Sequence, residues 1–210
     1  MNLPPAMTTQ KQTAPSESAV RVLAVAGSLN SGSVTRVVVG EAARQLAALG
    51  CTVDFLDLLQ EPLPLYNPDI SHDTPAFPAL QRRVEQADVV LLGTPDYHGC
   101  ISSAMKNFLD HFWREFAGKL FATIVASHEK GLTVTDQLRT VARQCYAWTL
   151  PYGLSFTGEE DLTDGKVSGA ALAERLEMMT RDIAIYGRLL AAQRRTDLAS
   201  REPGFLARLR

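Results

Sequence analysis

Apolar residues along this chain fall in short unbroken runs, and stretches with helical spacing separate the runs. Residues 21–26, 88–93 and 119–126 are nearly all apolar and do not alternate. That pattern predicts strands buried on both faces, as in a parallel sheet. Two further strands are expected at 52–57 and 153–157. Between them lie helical patterns at 34–49, 77–87, 102–116, 133–146 and 170–193. The first carries Val38, Ala42, Leu46 and Leu49 on one face, and Gly50 is placed to end it. The last carries Leu172, Leu176, Met179, Ile183, Tyr186 and Leu190 on one stripe. Five strands alternating with five helices, joined by right-handed crossovers, give an α/β fold. The expected arrangement is a doubly wound five-stranded parallel sheet, order 2-1-3-4-5, with helices on both faces.

The remaining segments read as loops. Residues 58–75 hold Pro62, Pro64, Pro68 and Pro75. A loop that long either lines a site or an interface, or covers a sheet edge. Residues 158–169 are acidic and carry glycine, and are expected as a loop. Residues 1–18 are polar and proline-bearing without an apolar core, which predicts a disordered leader rather than a signal peptide. The domain is then 19–193, and 194–210 an arginine-rich tail expected to fray.

Composition narrows the classes. The chain has 210 residues, 46% hydrophobic and 21% charged, enough for one domain with a full core. A net charge of −2 gives no broad electrostatic case for nucleic acid or an anionic membrane. No apolar run approaches the roughly 20 residues that span a bilayer. Cys51, Cys100 and Cys145 form no Cys-x-x-Cys motif, which suits a reducing cytoplasm. No residue set suggests a metal.

The candidate chemistry lies after strands one and three, at the switch point where such sheets bind ligands. The first strand stops at Gly27, and Ser28, Asn30, Ser31, Gly32, Ser33 and Thr35 lead into a helix. Free amides of a first helical turn and small hydroxyl residues suit a phosphate. Ser33 stands where a Walker loop needs lysine, and Leu29 breaks a dinucleotide fingerprint. The loop is therefore a lysine-free cradle for a phosphate monoester, or an ordinary strand-to-helix turn. In the second loop Pro95 stiffens the chain, Tyr97 offers a ring face and Gly99 permits close approach. A phosphate cradle beside a ring clamp describes a mononucleotide, and FMN leads at this position. Taken singly, Tyr97 reads as a packed aromatic and His98 as a surface or capping residue.

Gly27-Ser28, Ser33 and Arg36 resemble the N-terminal phosphate motif of the NAD(P)H-dependent FMN reductase family. Thr94-Pro95-Asp96-Tyr97-His98-Gly99, followed by Met105-Lys106-Asn107-Phe108-Leu109-Asp110, resembles its second motif. His98 sits where asparagine is common, Cys100 where serine is common, and Asn30 replaces a frequent arginine. The third loop, 127–131, lacks the family's paired glycines. The resemblance implies a flavodoxin-like fold, bound FMN, NAD(P)H as co-substrate and a homodimer or homotetramer. It implies that Ser28, Asn30, Ser33, Val34 and Thr35 hold the phosphate, with Arg36 adding charge nearby. Pro95, Asp96, Tyr97, His98 and Gly99 would contact the isoalloxazine, and Ser127, His128 and Lys130 would close its other side. No side chain is required as a catalytic group. The implied activity passes hydride from NAD(P)H to FMN and electrons on to a quinone, free flavin or similar small acceptor. A non-enzymatic flavodoxin-type carrier is the alternative, and a nucleotide-sensing module a third reading. Lys106, Asn107 and Asp110 read as a helix packed into an oligomer interface, with Lys106 and Asp110 paired, ahead of a catalytic role. His111, Trp113 and Phe116 read as packing, and His72 as solvent-facing.

Overall fold

A computed structural model describes residues 19–201 and 204–206, so the expected leader lies outside the described residues. The central parallel strands are β1 (Arg21–Ala26), β2 (Thr52–Asp57), β3 (Val89–Tyr97) and β5 (Leu120–Ala126). They stand in the order β2-β1-β3-β5. The fifth position is filled by two short strands, β6 (Trp148–Thr149) and β7 (Leu154–Phe156). Both pair with β5 in parallel, β6 at its start and β7 at its end. Pro151 lies between them and has no N–H to donate, which accounts for the split. The expected order therefore holds, with the edge strand in two pieces.

Helices cover both faces. Along β1, Val22 and Ala24 face α1 (Val34–Ala48) and α6 (Ala170–Ala199). Leu23 and Val25 face α2 (Phe77–Gln86), α3 (Ser103–Asp110) and α4 (Leu132–Gln144). Residues pointing both ways are buried, which is why the run does not alternate. Packing is close where glycine allows it: a Cβ on Gly93 would lie 2.1 Å from Val39 Cγ2. Among the described residues, no helix is long and apolar enough to cross a membrane.

Several local expectations are corrected. β3 continues past Thr94-Pro95 to Tyr97 and turns back into β4 (Cys100–Ile101), an antiparallel hairpin. α3 stops at Asp110, because Trp113 (φ −142°, ψ −72°) leaves helical geometry before a 3₁₀ turn at Arg114–Phe116. Trp113 is 51% exposed rather than packed; its indole N–H donates to the Gln144 carbonyl and Arg114 stacks on its ring. His111 and Phe116 are buried. His72 is exposed, though its Nε2 lies 3.3 Å from the His111 carbonyl.

The acidic loop is also structured. Gly158–Asp161 forms a short helix, α5, and β8 (Leu162–Thr163) pairs with β9 (Lys166–Val167). Asp164 and Gly165 both have positive φ in that turn, as a type I′ hairpin requires. Tyr186 is off the inner stripe of α6, because Gly187 takes the inward position, 2.6 Å from Val89 Cγ2 at an added Cβ. α6 runs on through Ala199, where fraying was expected, and Arg194 Nε donates to the Ala117 carbonyl at 2.8 Å. Beyond it Leu206 is buried over Gly118.

Candidate functional site

The two unusual loops leave neighbouring strands. Ala26 and Gly93 are register partners, and the Gly27 N–H donates to the Gly93 carbonyl at 2.7 Å. Ser102 joins the loops again. Its hydroxyl donates to the Gly27 carbonyl and accepts the Met105 N–H, so one side chain caps α3 and fixes the first loop. Thr94 Oγ1 in turn accepts the Ser102 N–H at 3.0 Å.

The first loop is built by its own side chains. Asn30 Oδ1 accepts the Gly32 N–H at 2.9 Å in an Asx turn. Ser33 caps α1, its hydroxyl accepting the Arg36 N–H at 3.1 Å. The first helical turn has no intrahelical acceptors for its amides. Among the described residues, the Val34 and Thr35 amides have no protein acceptor. Thr35 is 1% exposed and its hydroxyl makes no protein hydrogen bond among the described residues.

The second loop is held by Asp96. Its Oδ1 accepts the Gly99 N–H at 2.8 Å and its Oδ2 accepts the Ser127 hydroxyl at 2.9 Å. From α4, Gln137 grips the hairpin, accepting the Ile101 N–H at 3.1 Å and donating to the Gly99 carbonyl at 2.9 Å. Pro95 and Ala126 are register partners, so the loop after β5 starts beside the hairpin. Thr157 Oγ1 donates to the Ser127 carbonyl at 3.1 Å, binding the loop after β7 into the same wall. A Cβ on Gly158 would lie 2.9 Å from Val34 Cγ1, so only glycine lets that loop close on the start of α1.

These loops surround a cleft of about 490 Å³. Of the expected residues, Ser28, Asn30, Ser33, Val34, Thr35, Pro95, Asp96, Tyr97, Ser127 and His128 line it. His98, Gly99 and Lys130 are not in its lining. His98 (φ 58°) and Gly99 (φ 76°) instead form the tip of the β3–β4 hairpin, and Lys130 is exposed. Gly32, already read as part of the cradle loop, lines the cleft as well, and Ala126, Gly158 and Glu159 join the lining without having been expected. Glu159 arrives on the short helix α5, more than a hundred residues from the first loop, and only the Gly158 approach signals it.

Arg36, expected to add charge near the phosphate, donates to three main-chain carbonyls of the first loop. It lies behind the loop, outside the cleft lining, with Nε 2.6 Å from Asp57 Oδ2. Among the described residues the cleft wall carries the carboxylates of Asp96 and Glu159 and no lysine or arginine. Lys106 and Asp110 form an exposed pair at 2.5 Å. Asn107 holds the proline-rich loop, accepting the Tyr66 N–H at 2.7 Å and donating to the Pro64 carbonyl at 2.9 Å.

Comparison with known proteins is consistent across sequence and structure. Residues 20–161 match the model of a family described as NADPH-dependent FMN reductase. The chain is 32% identical over 145 residues to the NADPH-dependent FMN reductase ArsH of Shigella flexneri. That match covers 66% of this chain and 56% of the relative. Other curated relatives are named as azoreductases and quinone oxidoreductases. The chain thus spans little more than half the length of the first curated relatives it matches, 56% and 59%. Among solved structures, the flavoenzyme NAD(P)H:(acceptor) oxidoreductase of Paracoccus denitrificans superposes with a TM-score of 0.64 at 20% identity, covering 83% of this chain and 98% of that one. An archaeal flavodoxin superposes at 0.58 and 13% identity, covering 80% of this chain and 99% of that one. The fold is flavodoxin-like.

Proposed function

Since the chain belongs to the NADPH-dependent FMN reductase family, we propose that it binds FMN in this cleft and oxidises NAD(P)H, passing the electrons to a small acceptor such as a quinone or free flavin. The observation that carries the reading is the division of the cleft into two unlike ends. One end offers the amides of Val34 and Thr35, which have no protein acceptor among the described residues, with the Ser28, Ser33 and Thr35 hydroxyls. That donor set suits a phosphate monoester, which accepts several hydrogen bonds and is favoured at a helix N-terminus. The other end has stiff backbone at Pro95, the half-exposed Tyr97 and the wall of Ala126, Ser127 and His128. That end suits a flat ring system held by its edge.

Bound FMN would supply the redox chemistry, taking a hydride from the nicotinamide and releasing the electron pair to a second substrate. The protein's part is positional. Ser28, Asn30, Ser33, Val34 and Thr35 grip the phosphate, and Pro95, Asp96 and Tyr97 frame one ring edge. Ser127 and His128 shield the other. Asp96 is committed to Ser127 and Gly99 and acts on the shape of the hairpin, not as an acid or base. No side chain in the cleft is assigned a proton-transfer role. A ring held there would be open to both substrates, because the cleft is not closed over. Self-association as a homodimer or homotetramer belongs to the same proposal. The exposed Met178, Ile185 and Leu189 on α6 support it, since they present an apolar stripe at helical spacing.

The test is purification followed by flavin and nicotinamide titration. The expected outcome is a yellow protein with one FMN per chain, bleached by NADH or NADPH and turning over with quinone or free flavin. Stoichiometric FMN that neither nicotinamide reduces would replace the reading with a flavodoxin-type carrier. Native mass on the same sample decides the oligomer.

A further inference from the structure

The guanidinium of Arg36 has five N–H donors, and the structure uses five acceptors for them. Nε donates to Asp57 Oδ2 at 2.6 Å and Nη2 to Asp57 Oδ1 at 3.2 Å. The other three go to main-chain carbonyls of the first loop: Ser28 at 3.1 Å, Asn30 at 3.0 Å and Ser31 at 3.3 Å. Asp57 ends β2, is 8% exposed, and also accepts the Leu59 N–H at 3.0 Å through Oδ1. A planar trans peptide points its C=O and its following N–H in opposite directions. Fixing the Ser28, Asn30 and Ser31 carbonyls on Arg36 therefore turns the Leu29, Ser31 and Gly32 amides away from it. The charge of Arg36 is matched by Asp57, so little of it is left for a ligand across the loop.

We propose that Arg36 and Asp57 form a positioning strut that holds the first loop in its anion-binding shape and thereby sets the preference for a phosphorylated flavin over its unphosphorylated form. This rests on the FMN reading above and goes beyond it. A direct phosphate contact by Arg36 would make a different prediction for Asp57. If Arg36 touched the phosphate, Asp57 would compete for the guanidinium, and removing its charge would tighten FMN. As a strut, Asp57 anchors the guanidinium, and removing its charge loosens the loop and weakens FMN.

The experiment measures FMN and riboflavin affinity by flavin fluorescence for the wild type, Arg36→Lys, Asp57→Asn and the double variant. The wild type is expected to prefer FMN. Arg36→Lys, which cannot make the fork of bonds, is expected to lose at least tenfold in FMN affinity with riboflavin affinity unchanged within about twofold. The near-isosteric Asp57→Asn is expected to shift in the same direction by a smaller factor. The double variant is expected to fall no further than Arg36→Lys, because both residues act as one unit. Riboflavin affinity serves as the check that the fold and the ring end are intact. Tighter or unchanged FMN binding by Asp57→Asn overturns the strut, and so does an equal loss of both flavins in Arg36→Lys. A wild type that binds neither flavin overturns the FMN reading itself and the strut with it. A wild type that binds FMN no better than riboflavin overturns the strut alone.

Discussion

The Asp96 carboxylate accepts the Ser127 hydroxyl at 2.9 Å and so joins the loop after β3 to the loop after β5. Its other oxygen holds the Gly99 amide at 2.8 Å inside the hairpin. Hydrogen bonds to a charged group contribute about 1.5–3 kcal/mol each, less where water reaches them. Asp96→Ala should therefore lower stability by about 1–2 kcal/mol and FMN affinity by about tenfold or more. Asp96→Asn, which keeps an acceptor oxygen, should fall between. Urea unfolding beside flavin titration measures both, and wild-type FMN affinity in Asp96→Ala would remove Asp96 from the site.

The hairpin tip carries a residue poorly suited to its backbone. His98 (φ 58°) and Gly99 (φ 76°) occupy the two central positions of a two-residue turn. Both positions of a type I′ turn need positive φ, which asparagine and glycine accept most readily. The family's usual asparagine at this place thus has a backbone reason. His98→Asn should stabilise the protein by a few tenths of a kcal/mol, and the β-branched His98→Val should destabilise it by about 1–2 kcal/mol. Thermal unfolding gives the order. Equal stability of all three would mean that the hairpin is not a type I′ turn.

Asn107 is the latch of the proline-rich loop. Its amide oxygen accepts the Tyr66 N–H at 2.7 Å and its nitrogen reaches the Leu63 and Pro64 carbonyls at 3.4 and 2.9 Å. Asn107→Ala should cost about 1–2 kcal/mol and speed protease cleavage within residues 58–75, the segment that loses its ties. Asn107→Asp keeps the acceptor for Tyr66 and loses the donors, so it should cleave at an intermediate rate. Limited proteolysis followed by mass spectrometry of the fragments locates the cut. Unchanged cleavage in Asn107→Ala would show that the loop is held by its aromatic contacts around His72 and Phe77 instead.

What the sequence disclosed, and what it hid, follows from contact range. The central strands were legible because each face of Val22–Ala26 is buried, leaving a mark in consecutive residues. The Ser33 cap went unread although its partner is only three residues away, because Ser33 was weighed as a phosphate ligand alone. The pairing of Arg36 with Asp57 was not legible because Asp57 is twenty-one residues along the chain, at the end of β2. Glu159 was missed because nothing near it in sequence shows that Gly158 closes on Val34. The Asp164-Gly165 hairpin was a local signal that the acidic composition around it obscured. α6 outran its expected end because Arg194 is held by Ala117, a contact that no helical periodicity reports.

Lys119 sets a pH dependence remote from the cleft. Its side chain is fully buried, and Nζ donates to the Glu85 and Ala87 carbonyls. A neutral amine has two N–H groups, which match those two acceptors. Burial, with the nearby Arg194 charge adding to it, lowers its pKa from 10.5 to about 7, against the opposing pull of Asp88, Glu85 and Glu115. Between those values the unfolded chain binds more protons than the folded one. Stability must therefore rise with pH above about 7, at no more than about 1.4 kcal/mol per pH unit. Burial moves the Cys145 thiol the other way, from 9.0 up to about 11, so its contribution falls with pH only beyond about 9. The rise between about pH 7 and 9 is thus expected from Lys119. Lys119→Met should be less stable at every pH, because two carbonyls lose their donor, but its stability should be nearly flat across that window. Urea unfolding at half-unit pH steps compares the two slopes. A wild-type curve as flat as that of Lys119→Met would mean that the buried ammonium keeps its proton in the folded state.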